Sequence, residues 1–228
     1  MNWPIAAVIA ATLATGATVG IINGLLVVVG RVPSILVTLG MLTLLRGVTE
    51  ELLGGEWITD LPPGLRELGR GDWIGVPISV WTAGGSLAGM MLLAHGTQTG
   101  RRMYAVGDHA EAARLAGLPV GAVRLLTFAL TGTLTALAAL ISVPQLSVIE
   151  SGYGSGFELF VVTAVVVGGT SIRGGAGTIA GTALAALLLG SVGTVLIHLK
   201  LGDAATYWQR AVQGVFILAA VMWDHARL

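Results

Sequence analysis

Few side chains in this sequence are equipped for chemistry, and their spacing limits what that chemistry is. Residues 107–119 read Gly-Asp-His-Ala-Glu-Ala-Ala-Arg-Leu-Ala-Gly-Leu-Pro. An Asp with a Glu three residues later has the spacing of a capping box, in which side-chain acceptors satisfy first-turn amides. The pattern predicts a helix that begins at His109, is capped by Asp108 and Glu111, and ends near Ala116. Gly107 precedes it, Gly117 fits the position just past its last turn, and Pro119 cannot continue it. Two turns are too few for stability alone in water. Ala112, Leu115 and Ala116 give this helix one apolar face, with Glu111 and Arg114 elsewhere on its surface and Ala113 between them. That face needs a cover, supplied either by the chain's own membrane domain or by a partner subunit that docks there.

The other candidates are scattered. Asn23 lies within an apolar run, so its amide requires a partner: a neighbouring helix or a solute. Glu158 stands at the mouth of a short apolar run, where a carboxylate either complements the positive end of a helix dipole or marks a solute path. His95, His109, His198 and His225 form no metal-binding pair at helical spacing with a carboxylate, so neither a metal nor a cofactor is expected. No Gly-x-Ser-x-Gly elbow or His-Glu-x-x-His helix is present, and no catalytic residue is assigned. The sequence also lacks Gly-x-x-x-x-Gly-Lys-Ser/Thr, so energy for any work must come from a partner or a gradient. Gly175, Gly177 and Ala180 satisfy a dinucleotide-binding pattern, with residues 161–167 as the possible strand. Without a surrounding soluble βαβ unit, a tight turn between membrane helices is the better reading.

The elements that position these residues are membrane spans. Of the 228 residues 54% are hydrophobic and only 11% charged, against about 25% in soluble domains, and the mean hydropathy is +0.85. A formal net charge of zero, with no basic tail, gives no support for a nucleic-acid partner, and none is expected. Cysteine is absent, which rules out disulfides and thiolate sites. Crossing about 30 Å of hydrocarbon takes about 20 residues per helix. The expected fold is therefore all-α and polytopic, with about seven membrane segments: residues 5–29, 34–53, 74–94, 125–143, a short or broken 157–168, 178–198 and 205–223. Gly16, Gly20 and Gly24 form one small-residue stripe for close helix approach, and Gly177, Gly181 and Ala185 another. Arg46, Glu50 and Glu51 near the end of the second span read as interfacial. Residues 54–72, flanked by Trp57 and Trp73, read as an external loop; residues 95–124 read as a polar loop on the opposite side, and 145–156 as a second external loop.

Counting Lys and Arg assigns sides. If residues 107–119 are cytoplasmic, that side collects Arg31, Arg101, Arg102, Arg114, Arg124, Arg173 and Arg227, against Arg66, Arg70 and Lys200 opposite. The amino terminus is then outside and the carboxyl terminus in the cytoplasm.

Three blocks, in order and spacing, resemble the membrane subunit of bacterial ABC importers for sugars, the group of ribose, xylose, rhamnose and autoinducer-2 permeases. The early block is Asn23-Gly24, Arg31-Val32-Pro33-Ser34-Ile35 and Thr38-Leu39-Gly40. The middle one is Gly100-Arg101-Arg102-Met103-Tyr104-Ala105-Val106-Gly107 continuing through Ala112-Ala113-Arg114-Leu115-Ala116-Gly117, which resembles the family's cytoplasmic coupling loop. The late one is Gly156-Phe157-Glu158-Leu159, Val167-Gly168-Gly169-Thr170-Ser171 and Gly174-Gly175-Ala176-Gly177-Thr178. Gly54-Gly55-Glu56-Trp57-Ile58 and Leu61-Pro62 are similar to the autoinducer-2 and rhamnose branch.

The resemblance implies a single permease domain, residues 1–228, in the bacterial cytoplasmic membrane. It implies a second permease subunit, two cytoplasmic ATPase subunits docked at residues 107–117, and an extracytoplasmic sugar-binding protein. Transport would proceed by alternating access. Members of the family have about ten spans and an Asp-Leu-Ser-Val-Gly-like motif in an earlier helix, so this chain is expected to be short by about three amino-terminal spans. The rival functions are a branched-chain amino-acid permease of the same architecture and a truncated membrane partner that transports nothing.

Overall fold

The computed structural model describes residues 4–59, 61–150 and 152–198, together with scattered helical residues between 208 and 222. The expected seventh span, 205–223, lies mostly outside the described residues. Within them the chain is helical, as its composition requires. Contacts group it into two compact units, Met1–Ala88 with Ala116–Tyr153, and Gly89–Leu115 with Gly154–Leu228.

In the first unit, α1 (Ile5–Val28) packs chiefly on α7 (Val120–Ser142), with α2 (Ser34–Leu53) alongside α1. The glycine stripe makes this possible. A β-carbon on Gly16 would fall on the Gly132 carbonyl oxygen, one on Gly20 on the Phe128 carbonyl, and one on Gly132 on the Gly16 carbonyl. The two backbones therefore touch directly, the geometry that small residues permit between membrane helices.

Residues 54–72, read from the sequence as an external loop, carry regular structure. They contain α3 (Pro63–Arg70), started by Pro63 at a first-turn position where its missing N–H costs nothing. The strands β1 (Asp72–Trp73) and β2 (Val76–Pro77) follow as an antiparallel pair. Ile74 and Gly75, both at positive φ (58° and 73°), make the tight turn between them, a conformation that matches strand twist. The expected third span therefore starts four residues late: α4 runs Ile78–Met91 and ends in a π-helical turn, Leu92–Gly96. Trp73 and Trp81 stack edge to face at 5.4 Å, and the Trp81 indole N–H donates to the Trp73 carbonyl at 3.2 Å. Residues 54–77 are tied to the turn after α7. Arg70 donates to the Gln145 carbonyl at 2.7 Å, and Ile58 and Ile149 exchange backbone hydrogen bonds. Loops that the charge count assigned to one side of the membrane thus meet.

In the second unit, α5 (Gln98–Asp108) is capped by Thr97, whose hydroxyl accepts from the Gly100 amide at 3.1 Å. It leads into α6 (Ala110–Leu115). The short fifth segment is one regular helix, α8 (Phe157–Val167), joined by a glycine-rich turn to α9 (Ile179–His198). Helix α8 lies where the dinucleotide pattern required a strand, so Gly175 and Gly177 belong to a helix–helix turn. The second small-residue stripe closes that hairpin: β-carbons on Gly168 and Gly181 would strike each other's segment, and Ala185 is buried.

Among the described residues, three helices are long and apolar enough to cross a membrane: Ile5–Val28, Ile78–Gly96 and Val120–Gln145, with Phe157–Val167 and Ile179–Val195 apolar but shorter. Ile35, Leu36, Leu52, Leu184 and Leu187 are exposed, a surface that water penalises and lipid does not.

Candidate functional site

The segment 107–117 has the short helix that its sequence predicts, but a different cap. Helix α5 runs through to Asp108, so the Asp108 backbone is helical and cannot serve as an N-cap, which needs extended geometry. The first extended residue is His109 (φ −147°, ψ 95°), and its Nδ1 accepts from the Ala112 amide at 3.0 Å. The helix starts at Ala110, not His109. Glu111 takes no part in capping; it pairs with Arg114 at 2.7 Å, in an exposed i, i+3 bridge. Such pairs are worth about 0–1 kcal/mol, so this one trims the helix surface rather than holding it.

The face differs as well. Ala113 is the residue turned inward, at 5% exposure, whereas Leu115 is 83% exposed and Ala112 and Ala116 are exposed with it. The apolar stripe read from the sequence therefore exists and is open. Gly117 sits at φ +81°, the left-handed position that ends the helix.

Gly107 and Asp108 have a partner that the sequence did not give. The turn between α8 and α9 comes so close that a β-carbon on Gly174 would strike the Gly107 carbonyl oxygen, and one on Gly175 would meet the Asp108 side chain. The Tyr104 hydroxyl donates to the Gly177 carbonyl at 3.2 Å. Two segments that the charge count put on the same side, 95–124 and 169–177, are thus clamped backbone to backbone. Gly175 also has φ +73°, so any side chain there adds strain. Replacing Gly175 with Val is expected to part α5 from the turn. Hydrogen exchange at the α5 amides should rise tenfold or more, for an overpacking cost of about 1–3 kcal/mol.

Asn23 belongs to the first unit and Glu158 to the second. Glu158 is exposed in the first turn of α8, where its charge complements the helix dipole; among the described residues it has no hydrogen-bond or ion-pair partner. Asn23 is half-buried, and its Oδ1 is fully enclosed without a hydrogen-bond partner. It stands between two contiguous grooves, of about 680 and 430 Å³, formed by α1 and α2 and, for the larger, α7. Threonines 127, 131 and 135 line the larger groove, and Arg46, half-buried, lines the smaller. Arg46 thus contributes to a groove lining rather than serving only as an interfacial charge. The threonines were missed, although their four-residue spacing on α7 was a visible signal.

Known proteins bear on this arrangement. A family model described as the permease component of the branched-chain amino acid transport system matches residues 1–221. The chain is similar to the ribose import permease protein RbsC of Escherichia coli, 38% identical over 223 residues, which are 96% of this chain and 68% of that protein. It is also similar to the autoinducer 2 import system permease protein LsrC of Klebsiella pneumoniae, 40% identical over 212 residues, covering 92% of this chain and 60% of the relative. With LsrC of Escherichia coli the identity is 36% and the coverage 98% and 64%, so the chain spans just under two thirds of the autoinducer 2 permeases. No solved structure matches it. The resemblance carried by the three motif blocks is borne out, and with a family match over nearly its whole length the chain belongs to the permease components of the branched-chain amino acid transport system family, as a transport component and not an enzyme.

Proposed function

We propose that this chain is the membrane subunit of a bacterial importer for a sugar or sugar-like solute, of the autoinducer-2 or rhamnose type. The observation that carries the reading is the similarity of more than nine tenths of the chain to permeases for ribose and autoinducer 2. The chain crosses the cytoplasmic membrane about seven times, amino terminus outside, as one permease domain that pairs with a second permease subunit. An extracytoplasmic binding protein delivers the solute, and cytoplasmic ATPase subunits dock on Gly107, Asp108, Glu111, Ala112, Arg114, Leu115 and Gly117, with the buried Ala113 supporting this face from within. The exposed Leu115 end of α6 receives the thrust of ATPase closure. The clamp between α5 and the α8–α9 turn passes it on within the second unit, and the chain from Gly117 into α7 carries it towards the first.

A two-turn helix capped at His109 and closed at Gly117 moves as a rigid body, which a floppy loop would not. Asn23, in the first unit, and Glu158, in the second, are the proposed substrate-path residues.

The family model's own description favours a second reading, import of a branched-chain amino acid. The two separate when the chain is reconstituted with its ATPase and binding-protein partners. Ribose, rhamnose or autoinducer 2 is expected to stimulate ATP hydrolysis severalfold, and leucine to leave it unchanged. Stimulation by leucine alone would overturn the sugar reading.

A further inference from the structure

The two grooves around Asn23 present a defined set of hydrogen-bonding groups. The hydroxyls of Thr15, Thr38, Thr127, Thr131 and Thr135 each donate to a carbonyl of their own helix, at 2.8–3.0 Å. A hydroxyl has one proton, so each of these oxygens faces the groove as an acceptor only. Asn23 Oδ1 is enclosed beside the grooves and has no hydrogen-bond partner among the described residues. Donors come from the Asn23 amide nitrogen and from Arg46, whose guanidinium has no hydrogen-bond or ion-pair partner among the described residues. Among the described residues, no carboxylate lines either groove.

We infer that these grooves form one solute subsite for a neutral polyhydroxylated molecule, with Asn23 and Arg46 as its specificity-determining residues. The inference rests on the sugar-importer reading and names the residues that make it. Every sugar hydroxyl both donates and accepts. It can give its proton to a threonine oxygen while receiving one from Arg46 or the Asn23 amide nitrogen. An amino acid fits half of this arrangement: its carboxylate would find Arg46, but its ammonium would find no carboxylate among the described lining residues. Apolar side chains such as Val19 and Leu45 line both grooves, offering the non-polar faces of a sugar ring a surface to lie against.

The test uses the chain assembled with its partners and radiolabelled ribose, rhamnose and autoinducer 2, together with the monodeoxy analogues of whichever is transported. Asn23→Ala and Arg46→Gln are each expected to raise the KM for that sugar at least tenfold and to reduce discrimination between it and at least one deoxy analogue. Arg46→Lys, which keeps the charge and donors, should recover part of the loss. A merely structural role would lower the amount of protein in the membrane without changing discrimination. If Asn23→Ala fails to accumulate, the Arg46 pair gives the same readout. Unaltered KM and discrimination in the variants, with wild-type sugar uptake intact, overturn the subsite alone. Uptake of leucine and of no sugar by the wild-type assembly overturns the importer reading beneath it.

Discussion

An importer carrying Leu115→Asp is expected to lose at least nine tenths of its uptake while its membrane subunit remains inserted and folded. Leu115 is 83% exposed at the end of α6, and substitutions at such positions change stability by about 0.5 kcal/mol or less. A folding defect would therefore not explain the loss. What the carboxylate changes is the contact with the proposed ATPase partner, because a charge pressed into an apolar interface must be desolvated without a counter-ion. Central apolar contacts of this kind are worth about 2–4 kcal/mol, and every 1.4 kcal/mol is about tenfold in occupancy. The single variant is preferable to one that also alters Gly117. At φ +81° an Asp there would add backbone strain of about 1 kcal/mol, mixing a conformational effect with the docking effect. Arg114→Ala, which removes an exposed ion pair, should cost little by comparison. Uptake and ATPase co-purification measured together decide the matter; wild-type values of both in Leu115→Asp would remove α6 as the docking element.

Gly132→Leu is expected to have the largest effect on the fold itself. A β-carbon at this position falls on the Gly16 carbonyl and reaches the Gly20 Cα, both parts of the facing backbone, so no side-chain rotamer can relieve the contact. Helix α1 must move away from α7 along the seam that is its principal contact in the first unit. Overpacking costs about 1–3 kcal/mol when neighbours can adjust, and a leucine against rigid backbone lies at or above the top of that range. A cost of about 3 kcal/mol corresponds to a Tm lower by about 10 °C for a chain of this size. Gly84→Leu provides the contrast, since nothing lies within 4 Å of a β-carbon there and the change should be tolerated. Heating the detergent-solubilised protein and following its size-exclusion profile distinguishes the two. Equal loss in both variants would mean that the membrane environment, not the α1–α7 seam, sets the sensitivity.

How far the sequence reached depended on whether the physics was local. Helices α1, α2, α8 and α9 were legible to within a few residues because apolar length and glycine punctuation are properties of a segment by itself. The cap of α6 was misread because Asp108 satisfies the capping pattern only if the preceding helix has ended, and α5 continues through it. Helix α3 and the β1–β2 pair were missed for a similar reason. Their residues look like a loop in composition and are ordered by contacts such as that between Arg70 and Gln145, 75 positions away.

By itself, the sequence determined that the chain is a helical membrane protein with no ATP-binding loop of its own. It also determined which glycine stripes invite close packing and where a short capped helix breaks the oily pattern. Those conclusions follow from composition, run length and turn chemistry, which each segment carries regardless of its neighbours. Only the tertiary structure decided which helix fills the first stripe, that the glycines after α8 clamp Gly107 and Asp108, and that Asn23 stands between one groove lined by Arg46 and another lined by the threonines of α7. A stripe of small residues specifies that something may approach, not what. The partner is fixed by complementary shape on residues more than a hundred positions away, and no local pattern encodes that match.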